Sequence, residues 1–167
     1  MGKTQQNLQE AFAGESQANR RYLAFAGKAE KDGYPQVARL FRATAEAETV
    51  HALKHLDVMG GIKSTKENIE AAIAGEYHEF SAMYPGFISK AEEENSMMAR
   101  MSFAYANQVE KIHHNLYQKA LEALKSGQKL KDEPYFVCQT CGNTVAGEAP
   151  DKCPVCGAPK ARFKKVE

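Results

Sequence analysis

Four stretches before Gly127 carry apolar residues at three- and four-residue steps, the period of an α-helix that buries one face. Each apolar stripe is interrupted near its middle by carboxylates or imidazoles. No other feature constrains the fold as much, because an unpaired charge inside a helical core costs several kcal/mol. The first stripe runs Leu8, Phe12, Glu15, Ala18, Tyr22, Phe25 and Ala29, and the second Val37, Phe41, Thr44, Glu48, His51, His55 and Val58. The third gives Ile69, Ile73, Glu76, Glu79, Met83 and Phe87, and the fourth Phe103, Ala106, Glu110, His113, Tyr117, Ala120 and Leu124.

Punctuation sets the bounds of these helices. The first is predicted from about Thr4 to Lys31, stopped by Asp32-Gly33, and the second from Pro35, whose missing N–H is not needed in a first turn, to just before Gly60-Gly61. Ser64-Thr65-Lys66-Glu67 reads as a capping box that opens the third helix, which runs past Pro85 with a kink there. Asn95 is the expected cap of the fourth, which ends near Ser126-Gly127. Short loops make each consecutive pair an antiparallel hairpin, and two hairpins predict an all-α four-helix bundle over residues 1–130.

Seven ionisable groups, Glu15, Glu48, His51, Glu76, Glu79, Glu110 and His113, would then meet in the bundle interior, and no lysine or arginine stands at their level. A metal is the simplest counter-charge, since the five carboxylates carry −5 and two iron ions +4 or +6. Residues at i and i+3 share a helix face, so Glu48-x-x-His51 and Glu110-x-x-His113 each direct an oxygen and a nitrogen at one place. A lone Glu-x-x-His is ordinarily a solvated face. Two of them in apolar stripes, with single glutamates from two other helices, form the pattern of ferritin-like di-iron carboxylate proteins, here with Glu79 as an extra ligand. His55 reads as a supporting residue, His78 and His114 as surface residues, and Met97, Met98 and Met101 as gap-filling core or interface. Tyr22, Tyr84, Tyr105 and Tyr117 are amphipathic core residues able to hydrogen-bond a buried carboxylate.

The composition changes near Gly127: all four cysteines and four of the six prolines follow it. The cysteines fall into two Cys-x-x-Cys pairs, Cys138/Cys141 and Cys153/Cys156, each followed by a glycine that lets the backbone turn its N–H groups toward sulfur. Residues 131–167 are too few to fold without a staple, so they predict a small β/knuckle domain stabilised by metal. Spacing does not separate zinc from iron. An electron carrier beside a di-iron site favours iron, with zinc as a possible substitute.

Glu15, Glu48-Thr-Val-His51, Glu76-Tyr-His-Glu79, Glu110-Lys-Ile-His113 and the two knuckles together make the whole chain resemble the rubrerythrin family, a ferritin-like di-iron bundle fused to a rubredoxin-like domain. The resemblance implies a peroxidase that reduces hydrogen peroxide to water in oxidative-stress defence. Electrons would come from an external NAD(P)H-dependent reductase through the tetracysteine iron. It further implies that Glu48 and Glu110 bridge two irons, that Glu15 binds one, and that Glu76 and His113 bind the other. Glu79 and His51 would exchange, Glu79 holding the first iron when ferric and His51 when ferrous, with Tyr22 and Tyr84 supporting the site.

In a ferritin-like bundle the second and third helices run parallel, so their connection crosses the bundle over roughly 30 Å at 1.5 Å per helical residue. The non-helical piece from Val58 to Lys66 reaches only about 26 Å when extended, which predicts a homodimer with hairpins swapped between two chains. The start MGKTQQNLQE has no apolar core for secretion, no run suits a bilayer, and no basic stripe suits nucleic acid, so a cytoplasmic protein without membrane or nucleic-acid partners is expected. Two other readings are a ferroxidase with a structural zinc ribbon and a zinc-ribbon adaptor. Neither uses both the extra ligand Glu79 and a tethered carrier.

Overall fold

A computed structural model describes residues 2–166 of the chain, which divides after Lys63 into two compact units. The first unit is a hairpin of α1 (Lys3–Lys31) and α2 (Pro35–Val58). At the turn Gly33 takes φ 83°, and the Tyr34 N–H returns to the Ala29 carbonyl at 2.8 Å, ending α1 before Pro35 opens α2. The helices approach through small side chains: Ala26, Ala29, Ala38, Ala45 and Ala52 are buried, and Asn19 donates to the Ala45 carbonyl at 2.7 Å and to Thr49 Oγ1 at 2.8 Å. Larger apolar residues such as Leu40 and Val50, each 62% exposed, are left largely in the open.

The second unit opens with α3 (Thr65–His78), and the predicted capping box is present, Ser64 Oγ accepting from the Glu67 N–H. The single kinked helix expected through Pro85 is instead interrupted ahead of the proline by a π-helical turn over Glu79–Met83, before α4 (Tyr84–Glu93). The Tyr84 N–H reaches back to Glu79. Pro85 offers no N–H to the Ser81 carbonyl, and the ladder loosens into the wider turn there. Asn95, expected as the cap of the next helix, takes φ 54° and ends α4. Ser96 holds the cap position of α5 (Met97–Lys125), consistent with asparagine's tolerance of the left-handed region. α3 and α4 pack on α5, where Val109 is buried and Tyr84, Phe87 and Phe103 stack. His114 corrects a second expectation: it is half-buried, its ring Nδ1–H donates to the Ile73 carbonyl at 3.2 Å, and it stacks on Tyr77 and Phe80.

Beyond Lys125 the same unit ends in a three-stranded antiparallel sheet of order β2-β1-β3, from β1 (Tyr135–Cys138), β2 (Thr144–Ala146) and β3 (Phe163–Val166). Phe136 pairs with Val145 on one side and Lys165 on the other. The interior of this module holds Cys138, Asn143, Ala149 and Cys153, and β2 rests on α5. Helices and strands thus agree with the expected all-α part and small β module. No helix is long and apolar enough to cross a membrane among the described residues.

Candidate metal centres

The four cysteine sulfurs come together as the spacing predicts, Cys138 Sγ at 3.7 Å from Cys156 Sγ and Cys141 Sγ at 3.6 Å from Cys153 Sγ. A tetrahedron with edges of that length has its centre about 2.3 Å from each corner, the usual metal–thiolate distance, so the cage fits a tetrahedral ion. Two tight turns build it. The Gly142 N–H bonds the Cys138 carbonyl at 2.8 Å and the Gly157 N–H that of Cys153 at 2.9 Å, with φ of 86° and 75° at the glycines. Burial raises the Cys153 thiol, but the facing N–H groups of Cys156 and Val155, together with the neighbouring Cys156 and Cys141 thiols, bring it down to about 7. Burial pushes the Cys141 thiol up, opposed by the Asn143 N–H.

Each hairpin carries its own half of the carboxylate set: one glutamate on its first helix and a Glu-x-x-His on its second. In the first unit His51 Nδ1 lies 2.9 Å from Glu48 Oε2 and 3.7 Å from Glu15 Oε1. In the second His113 Nδ1 lies 2.7 Å from Glu110 Oε2 and 3.8 Å from Glu76 Oε2. Within each trio one ligand atom per residue falls inside 4.8 Å of the others. Glu76 Oε2 is buried without any hydrogen-bond partner, as suits an oxygen aimed at a cation rather than at a proton donor. Desolvation, the hydrogen bond shared with Glu110 and the charges of Glu110 and Glu79 raise Glu76 to about 7. The donor chemistry, hard carboxylates with one imidazole per trio, fits iron.

Glu79 stands at the first position of the π turn, outside the three-residue cluster, and burial raises its carboxyl. The Tyr84 phenol is raised by burial and by the charges of Glu110, Glu79 and Glu76, which places it in the field of the second trio. Tyr22 is half-buried and stacks on Phe25 and Phe41 in the first unit. A cleft of about 520 Å³ between α3, α5 and the strand module opens onto Glu76 and His113. The sequence reading missed Thr144. Its Oγ1 lies 3.0 Å from His113 Nε2, and its own hydroxyl donates to the Gly142 carbonyl, so it joins an imidazole on α5 to the turn that follows Cys141. Nothing in the spacing pairs residues so distant in sequence.

A family model described as Rubrerythrin matches residues 6–121, and one described as Rubrerythrin, rubredoxin-like domain matches residues 136–164. The chain is 35% identical over 178 residues to a rubrerythrin of Nitratidesulfovibrio vulgaris, covering 97% of this chain and 93% of that protein. It is 34% identical over 171 residues to rubrerythrin-2 of Clostridium acetobutylicum, covering 94% and 93%. Among solved structures, nigerythrin in its fully reduced, all-ferrous state matches with a TM-score of 0.59 and 34% identity, over 99% of this chain and 88% of that one.

Proposed function

The chain belongs to the rubrerythrin family, and from that premise we propose that it is a non-haem di-iron peroxidase that reduces hydrogen peroxide to water. The observation that carries this reading is the presence in one chain of two Glu-Glu-His trios and a four-cysteine cage, the cage tied to a trio through Thr144 and His113. A ferroxidase needs the trios only. Functionally the chain divides into a di-iron part, 1–130, and a carrier, 131–167.

Taking hydrogen peroxide to two waters consumes two electrons and two protons. Iron, when bound, supplies the electrons in one-electron steps at each ion, and the four-cysteine cage supplies one more carrier to restore them. The protein's own task is to hold the ions and deliver protons. Glu48 and Glu110 would serve both ions, Glu15 would hold one, and Glu76 and His113 the other. His51 and Glu79 would serve as alternative ligands of the first ion. Imidazole suits its ferrous form and carboxylate its ferric form. Tyr84, held protonated by burial and by the surrounding carboxylates, keeps a phenolic proton beside the site, and Tyr22 offers a second. Protons pass from these groups to the departing oxygens.

We further assign the chain to a homodimer in which the α1–α2 hairpin of one copy completes the α3–α5 hairpin of another. Support comes from the short Val58 to Lys66 connection and from the half set of ligands on each hairpin. The electrons come from an external reductase fed by NAD(P)H, in the cytoplasm, as part of the defence against peroxide.

The test is an anaerobic visible spectrum of dithionite-reduced, iron-loaded protein, followed after stoichiometric hydrogen peroxide and, separately, dioxygen. The ferric-thiolate band is expected to return quickly with peroxide and slowly with dioxygen. Equal rates, or faster return with dioxygen, would favour the ferroxidase reading. Absence of the band in metal-replete protein would make the module a zinc ribbon.

A further inference from the structure

The ease with which a thiolate-bound iron accepts an electron depends on the N–H groups that face its sulfurs, because the reduced site carries one more negative charge and is the form they stabilise more. In this module one residue faces three of the four cysteines. Asn143 receives the Cys138 N–H at its carbonyl at 2.9 Å, and its own N–H favours the Cys141 thiolate. Its side-chain Nδ2 lies 3.7 Å from Cys153 Sγ. The side chain is 1% exposed, among the most deeply buried of the described residues, and its Oδ1 has no hydrogen-bond partner.

A buried amide with one end unsatisfied is oriented by whatever holds its other end. A metal-bound cysteine has no proton to donate, so only the NH₂ end can face Cys153. The orphaned Oδ1 is the cost of keeping that donor on sulfur. We propose that Asn143 is a tuning residue of the four-cysteine site, its side-chain amide donating to the Cys153 sulfur and raising the reduction potential of the bound iron. Backbone N–H···S bonds are available to any sequence that makes the two knuckles. This one is written by a single side chain. The inference rests on the reading of the module as an iron carrier, and the ferric-thiolate band of the unsubstituted protein decides that reading independently.

The test uses full-length, iron-loaded protein and spectroelectrochemical titration of the ferric-thiolate band. N143L, which keeps asparagine's branching at Cγ without its polar ends, is expected to bind iron fully and to lower the equilibrium constant for reduction about tenfold, a fall of about 59 mV for one electron. Its charge-transfer band should move to longer wavelength, as a thiolate relieved of a donor gives up charge more easily. A purely space-filling role would leave both readouts unchanged in N143L, and that result overturns the proposal. Should N143L or N143A not hold iron, the unsubstituted protein loaded with cadmium-113 still decides. A scalar coupling from an Asn143 side-chain amide proton to the metal is expected, and its absence also overturns the proposal.

Discussion

Glu76 presents a buried oxygen to its trio with no donor opposite it, and in the metal-free protein its carboxyl titrates near 7 because of burial and its acidic neighbours. The unfolded chain lacks those neighbours and holds the proton only up to about 4.5. The folded metal-free state therefore binds this proton more tightly, so the stabilisation is complete below about 4.5 and is lost as pH rises through about 7. Metal-free protein is expected to melt at a lower temperature at pH 8 than at pH 5. E76Q should flatten that slope and melt higher than the unsubstituted protein at pH 8, as scanning calorimetry would record. An undiminished slope in E76Q would assign the pH dependence to other groups. The identity of such residues was legible because helical period and charge conflict at their positions. The role of Asn143 was not, because its partners become neighbours only after both knuckles close.

At the scale of elements, the four helical rods, their hairpin pairing and the capping box at Ser64 could be read from period and punctuation. The π turn could not, since Pro85 announces a disturbance without saying which carbonyl will give way. Asn95 suits a helix cap and a left-handed terminus equally well in sequence, and the chain reversal between α4 and α5 selected the second. The seating of β2 on α5 is likewise a tertiary fact, fixed by the His113–Thr144 bond and by Val109 beneath Gly142. A neutral hydrogen bond contributes about 0.5–1.5 kcal/mol, so T144V should reduce the docked population roughly two- to twelvefold. In single-turnover stopped flow, the ferric-thiolate band of T144V is expected to return more slowly by a similar factor after peroxide. Oxidation of the carboxylate-bound irons should keep its rate. Slowing of both phases alike would place the effect elsewhere.

For the whole molecule, the helices and the cysteine knuckles were both legible in the sequence, while the proposed pairing of chains rests on the shortness of one connection. Light scattering on the iron-loaded protein is expected to give twice the chain mass, and mixing E48Q chains with E110Q chains should restore one intact iron pair in a fraction of the dimers. A monomer that keeps its iron pair would refute the swap. The first unit buries only alanines among its described residues, while Leu40, Val50 and Leu53 face outward. So sparse an interior gives a hairpin little to hold it together in isolation. In the proposed swapped dimer, this would make folding and association one event of second order in the chain. Newly made copies would then mature at a rate set by how many others are near, and dilution would slow their arrival at the working form before it touched the finished protein.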